Sequence, residues 1–229
     1  MSESLIKADT ALESLRSSDF DTYSAYGEVV DNSIQANSSK VWIYLKERTD
    51  RTQSKKSQIG EATFIDNGHG MSHSDLHKCL KLGHSSRYND RSGIGRFGVG
   101  MTLGAIHEAR RIEVYSKQDS TNWQWTYIDL DEIAGKEHAT IPEPINKKPI
   151  ISGSINIDSL KSGTVVVWSK YDKAIDDYKT IIEESQFYFG RTYRKFIQGR
   201  AEDFTGKLEL RLNDQKVHAW DPLFFFQED

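Results

Sequence analysis

Residues 27–36 read Gly-Glu-Val-Val-Asp-Asn-Ser-Ile-Gln-Ala, an apolar helical pattern into which Glu28, Asp31 and Asn32 are set. On a helix Glu28 and Asn32 are i,i+4, and Asp31 is i+3 from Glu28, so all three share one face beside Ala25 and Ala36. An Asn carbonyl is a hard oxygen ligand suited to Mg²⁺, and a Glu one turn away can orient and deprotonate water. The same residues also serve as an exposed polar face, with Val29, Val30, Ser33 and Ile34 turned inward, and composition alone favours that plainer account.

Two glycine-bearing stretches bear on the choice. In Phe64-Ile-Asp-Asn-Gly-His-Gly-Met71 an apolar strand delivers Asp66 to its end, and Gly68 and Gly70 let the backbone turn tightly. A buried carboxylate needs a donor, which an adenine amino group or a turn amide can supply. Asp-Asn-Gly is also a common turn sequence. Further on, Gly93-Ile-Gly-Arg-Phe-Gly-Val-Gly-Met101 brings Gly93, Gly95, Gly98 and Gly100 close together, so backbone N–H groups can close on phosphates, or the chain simply turns there. A dinucleotide fingerprint must follow a buried strand, and the polar Ser85-Ser-Arg-Tyr-Asn-Asp-Arg-Ser92 precedes this one. A Walker A loop requires a Lys where Met101 stands, and a kinase loop lacks its later lysine strand and catalytic loop. A helix starting near Met101 would offer its amides and dipole to an anion.

The 229 residues, 37% hydrophobic and 28% charged, suffice for one full core. No apolar run approaches the roughly 20 residues of a membrane-spanning helix. The opening Met-Ser-Glu-Ser-Leu-Ile-Lys lacks a basic start and an apolar core, so a cytoplasmic location is expected, nuclear if eukaryotic. The single Cys79 excludes an internal disulfide and reads as packing. A net charge of −4 argues against strong general nucleic-acid binding, and Arg191, Arg194, Lys195 and Arg200 read as the solvated side of a helix.

Periodicity predicts helices over 4–16, 22–36, 72–82, 100–109 and 176–197, the last with Gly190 placed to kink it. Strands are predicted over 40–46, 62–65, 112–116, 123–128, 151–157, 164–169 and 208–212. Residues 47–60 and 135–149 read as polar connectors. The tryptophans of the strands read as core or sheet-face residues. The class is α+β: a two-layer sandwich with a mixed, mostly antiparallel sheet and helices on one face.

Taken in order, Glu28-x-x-Asp31-Asn32-Ser33, Asp66-x-Gly68-x-Gly70, Gly95-x-x-Gly98-x-Gly100 and Ser162-Gly163-Thr164 strongly resemble the GHKL ATPases, which include gyrase B, the ninety-kilodalton heat-shock chaperones, MutL and the MORC proteins. The chaperone and MORC branch is the closest in flavour, through Gly95-Arg-Phe-Gly-Val-Gly-Met-Thr-Leu-Gly104 and Ser14-Leu-Arg-Ser-Ser-Asp-Phe-Asp21. The resemblance implies a Bergerat-type ATP-binding fold, with ATP and Mg²⁺ as cofactors. It makes Glu28 the general base and Asn32 the Mg²⁺ ligand. Asp66 becomes the acceptor of the adenine amino hydrogen, helped by Thr164, with Gly68, Gly70 and Met71 shaping the base pocket. Gly95, Gly98, Val99 and Gly100 would hold the phosphates by their amides. Residues from about 82 to 97 would form a lid, with Ser85, Ser86, Arg87, Arg96 and the neighbouring Phe97 as its contact candidates.

The resemblance also implies ATP hydrolysis whose lid closure drives nucleotide-dependent homodimerisation of a larger protein, with a protein client or nucleic acid reached through further domains. Residues 1–205 are expected to form the ATP-binding domain, and 206–229, with Phe224-Phe-Phe226, to open a transducer-like domain or linker. Two other functions share the fold: an ATP-sensing clamp with little hydrolysis, and a histidine kinase. The second is opposed by the lack of a His in a dimerisation helix ahead of the site; His69 and His84 read as loop residues.

Overall fold

The computed structural model describes residues 7–17, 21–48, 57–82, 100–136, 138–173 and 177–221. Among these, eight strands form one sheet: β1 (Lys40–Glu47), β2 (Ile59–Asp66), β3 (Ala109–Lys117), β4 (Gln124–Asp129), β5 (Ile145–Asn146), β6 (Gly163–Tyr171), β7 (Glu209–Leu212) and β8 (Gln215–Lys216). Their order across the sheet is β5-β4-β3-β6-β2-β1-β7-β8. Only β1 and β7 run parallel; every other neighbouring pair is antiparallel. The helices are α1 (Ala8–Leu15), α2 (Thr22–Gln35), α3 (His73–Lys78), α4 (Gly100–Glu108), α5 (Leu130–Ile133), α6 (Tyr178–Thr192) and α7 (Arg194–Gln198). The mixed α+β sandwich expected from the pattern is the fold observed.

Strand alternation assigns the two sheet faces. Val41, Ile43 and Leu45, with Ala62 and Phe64, Ile112 and Val114, and Val166 and Trp168, point to one side and pack against Tyr26, Val29 and Val30 of α2, Ile106 of α4 and Phe189 of α6. Trp168 sits at its centre, with ring centroids 5.0 Å from Phe64 and 5.6 Å from Tyr26. The opposite side carries Tyr44, Ile65, Tyr115, Val165 and Val167.

That second face is covered by the segment expected to be a strand at 151–157. Ile151 and Ile155 pack on it, Gly153 lies flat against the Tyr44 ring, and the chain closes in a 3₁₀ turn at Ile157–Ser159. The alternation Ile151, Ile155, Ile157 signals one apolar side, which a covering segment satisfies as well as a strand does. The Asn156 side chain accepts the Asp158 amide at 3.0 Å and fixes the turn.

Residues 208–217 add to this sheet: β7 pairs along β1, and Leu208, Leu210, Leu212 and Val217 are buried in the same core. One further expectation shifts. The long C-terminal helix divides at Tyr193, not at Gly190. Gly190 instead admits a neighbouring chain, since a Cβ there would lie 2.5 Å from the His218 carbonyl, and its own carbonyl accepts the Trp220 amide at 2.9 Å. Alanine is favoured over glycine in a helix by about 1 kcal/mol, but the blocked approach is backbone and should outweigh it. Gly190→Ala is therefore expected to lower unfolding free energy by about 1–2 kcal/mol, read as a drop in urea midpoint at unchanged slope.

Candidate active site

Asp66 ends β2 on the helix-covered side, in phase with Ala62 and Phe64. Its cross-strand partner is Thr164 of β6, and Thr164 in turn pairs with Ser116 of β3. One row inward the same strands place Phe64, Val166 and Val114. The core therefore gives way to a polar row, Asp66-Thr164-Ser116, across three central strands.

Local structure holds that row. The Gly68 amide donates to Asp66 Oδ1 at 2.8 Å, Ser38 Oγ donates to Oδ1 at 3.2 Å, and Ser33 Oγ of α2 lies 3.3 Å from Oδ2. Burial pushes the carboxyl up to about 6, against these hydrogen bonds and one from the Thr164 backbone, which pull it down. Ser116 Oγ accepts the Met71 amide at 2.9 Å and donates to the Gly163 carbonyl at 3.0 Å. Its one proton is thereby used, so in the 3.1 Å contact with Thr164 the Thr164 hydroxyl is the donor.

The glycines set the walls. Gly70 has φ +69°, and a Cβ on it would strike the Lys117 carbonyl at 2.0 Å. A Cβ on Gly68 would lie 2.7 Å from the Ala36 carbonyl, and the His69 amide donates to that same carbonyl at 3.0 Å. The loop after β2 is thus pressed onto the C-terminal end of α2. Ser162 Oγ ties it from the other side, donating to the Gly68 carbonyl at 2.7 Å. His69 is exposed and its Nδ1 lies 2.6 Å from the Gly70 carbonyl, a loop contact.

Helix α2 opens with Asp21 accepting the Ser24 amide at 2.7 Å, and its inner face is buried. Its other face carries half-buried Glu28 and Asp31 and exposed Asn32. Glu28 and Ser33 are five residues apart, about 7.5 Å along the axis, so the acid lies more than one turn from Asp66. Glu28 turns towards the start of α4, where a Cβ on Gly100 would fall 1.9 Å from Glu28 Oε2. Burial, and then the charge of Asp31, raise the Glu28 carboxyl. Asp31 turns the other way and accepts the Tyr193 hydroxyl at 3.0 Å; burial raises it too.

The fold thus brings Glu28, Asn32, Asp66, Gly68, Gly70, Met71, Gly100 and Thr164 onto one side of the sheet, around α2. Ser85, Ser86, Arg87, Gly95, Arg96, Phe97, Gly98 and Val99, with His84 and Phe224–Phe226, lie outside the described residues. Cys79 packs against the core, and burial pushes its thiol up to about 12, as a packing role requires. Sequence reasoning missed Ser38, Ser116 and Tyr193. Ser116 was detectable, being the polar residue that continues the inward phase of Ile112 and Val114. Among the described residues no cluster of three or more His, Cys, Asp or Glu could cage a metal, and no helix is long and apolar enough to cross a membrane.

The α+β fold thus sets a buried carboxylate at a strand end beneath an acid-bearing helix. Residues 21–164 match the family described as histidine kinase-, DNA gyrase B- and HSP90-like ATPase, and the chain belongs to it. Its similarity falls on the MORC branch. MORC family CW-type zinc finger protein 3 of Mus musculus is 29% identical over 131 residues, 52% of this chain and 12% of that protein. Protein MICRORCHIDIA 5 of Arabidopsis thaliana is 25% identical over 206 residues, 81% of this chain and 27% of that protein. ATPase MORC2 of Homo sapiens is 27% identical over 100 residues, 43% of this chain and 9% of that protein. The chain thus spans well under a third of each relative's length.

The raised Asp66 pKa carries a sign. A buried acid that prefers its proton adds stability below its unfolded value near 3.8 and loses it as pH rises through about 6. Glu108, which burial raises to about 7, acts in the same direction, so a difference measurement is needed. Between about pH 4 and about pH 6.5 the ligand-free protein should lose on the order of 3 kcal/mol more stability than Asp66→Asn does, by urea unfolding followed on tryptophan fluorescence.

Proposed function

We propose that this chain binds ATP along α2 and hydrolyses it, with Asp66 reading the adenine and Glu28 activating water. The observation that carries this reading is the pairing of a buried, donor-ringed carboxylate at the β2 end with a half-buried acid facing the first residue of α4.

Ionised at neutral pH, Asp66 offers oxygens only to a donor, so it favours the amino group of adenine over the carbonyl that guanine presents at the same ring position. Thr164 keeps lone pairs for the same edge of the base or a water. The turns at Gly68 and Gly70 hold the loop after β2 against α2 and β3, beside the edge the base would meet. The phosphates then lie towards Gly100, whose missing side chain and helix-start amides suit an anion. The amides of Gly95, Gly98 and Val99 and contacts from Ser85, Ser86, Arg96 and Phe97 are carried over from the family resemblance.

Asn32, an exposed oxygen donor on the same helix face, would hold Mg²⁺ with the phosphates supplying other ligands. The donor set fits, since such an ion needs few protein ligands. When bound, Mg²⁺ would neutralise charge on the phosphates. Glu28 takes the proton as the water oxygen bonds to the γ-phosphorus and the bond to the bridging oxygen breaks, leaving ADP with that electron pair. A carboxyl raised by burial and by Asp31 is a better base than a solvated one. Lid closure and pairing of two copies complete the reading by resemblance, as does an origin in a longer protein that supplies a further cation. Turnover by the chain alone should then be slow.

Glu28→Ala should cut phosphate release by about 10²–10⁴-fold while calorimetric binding of a non-hydrolysable ATP analogue persists. Asp66→Asn should instead weaken analogue binding by about 10–100-fold through loss of a charged acceptor. Wild-type hydrolysis in Glu28→Ala would overturn the base assignment, and unchanged affinity in Asp66→Asn the adenine assignment.

A further inference from the structure

The long C-terminal helical segment reaches the acid-bearing face of α2 through one hydroxyl. Tyr193 stands where α6 breaks and α7 begins, with φ −97° and ψ 14°, and only 2% of it is exposed. Its Oη lies 2.9 Å from the Gly27 carbonyl and 3.0 Å from Asp31 Oδ1. A phenol has one proton, so it is shared between a backbone carbonyl and a carboxylate four residues apart on α2. Those two acceptors bracket the single turn on which Glu28 stands.

Gly27 makes the approach possible. A Cβ there would lie 3.2 Å from both the Tyr193 and the Tyr188 hydroxyl oxygens, so a side chain would crowd both phenols. The two acids of the turn are thereby separated. Glu28 points to Gly100 on one side, while Asp31 is drawn to Tyr193 on the other. Without the hydroxyl, Asp31 could swing along the same helix face towards Glu28 and Asn32.

We propose that Tyr193 is a positioning residue for hydrolysis: its hydroxyl fixes Asp31 away from Glu28 and straps the Gly27–Asp31 turn, so that Glu28 is aimed at the nucleotide. This rests on the reading of Glu28 as the base. In this role the phenol acts through α2, by way of Gly27 and Asp31.

Tyr193→Phe removes one oxygen and keeps the ring that packs against Phe189 and Phe196. It should lower kcat for phosphate release by about tenfold, since small misplacements of a catalytic group are costly, with KM for ATP and analogue affinity within about twofold of wild type. Tyr188→Phe, which removes the neighbouring hydroxyl, should leave kcat unchanged. In an Asp31→Ala background the effect of Tyr193→Phe should shrink to under about twofold, because the two groups act as a unit. Equal kcat in wild type and Tyr193→Phe would overturn the proposal alone. So would a Tyr193→Phe effect undiminished in Asp31→Ala, or a fall in affinity and melting temperature matching the fall in kcat. Absence of any phosphate release by the unaltered chain would overturn the hydrolysis reading, and this proposal with it.

Discussion

A carboxylate buried at the end of a central strand is the constraint around which the rest is arranged. Leaving such a group without partners costs several kcal/mol, so the surroundings must supply donors in number. Here they come from three separate places: the turn after β2 through the Gly68 amide, α2 and the residues after it through Ser33 and Ser38, and β6 through the Thr164 backbone. Only the Gly68 amide is local to Asp66. Satisfying it fixes the position of α2 over the sheet, the course of the Gly68–Gly70 loop and the register of β2 against β6.

Once α2 is fixed at that end, the direction of its polar face follows from 3.6 residues per turn. Ser33 meets Asp66, Asn32 is exposed beside it, and Glu28 arrives at the first residue of α4. Small residues keep the helices close enough for this: a Cβ on Gly104 of α4 would lie 3.1 Å from the Ala25 backbone. The far end of α4 is held too, with buried Arg16 donating to the Ile106 carbonyl at 2.6 Å and Thr22 donating to Glu108 at 3.0 Å. α4 therefore joins the acid-bearing face of α2 to the α1 end of the molecule.

Much of this was legible in the sequence because it depends on periodicity. The alternation in 40–47 and 163–171 and the helical repeat of 22–35 settle the two layers and the phases of Glu28, Asn32 and Asp66 on them, while the roles assigned to those residues came from the ordered motifs of the family resemblance. What was not legible depends on contacts between distant segments. Nothing in Ile151–Ile157 distinguishes a strand from a segment lying across a sheet, since both need one apolar side. Gly190 looked like a kink because a glycine inside a helix is read locally, whereas its reason is the His218 carbonyl packed against it. Tyr193 looked like one more member of an apolar stripe; its ring does pack in the core, and only its terminal oxygen meets the site.

Raised carboxyl pKa values concentrate at functional sites, yet here they do not mark the site by themselves. Glu28, Asp31, Asp66 and Glu108 are all pushed up by burial. Glu108 closes the joint between α4 and the first turn of α2, and its role is accounted for by Thr22. The other three differ in what surrounds them. Each stands beside a position where a side chain is missing or excluded: Glu28 beside Gly100, Asp66 beside Gly68 and Gly163, and Asp31 within a turn of Gly27. A Cβ at Gly100 would strike the Glu28 carboxylate, one at Gly163 the Asp66 backbone, one at Gly68 the Ser38 hydroxyl that donates to Asp66, and one at Gly27 would crowd the Tyr193 oxygen that Asp31 accepts from. It is that coincidence of burial with withheld side chains, more than any single shifted acid, that separates the α2 face from the rest of the molecule.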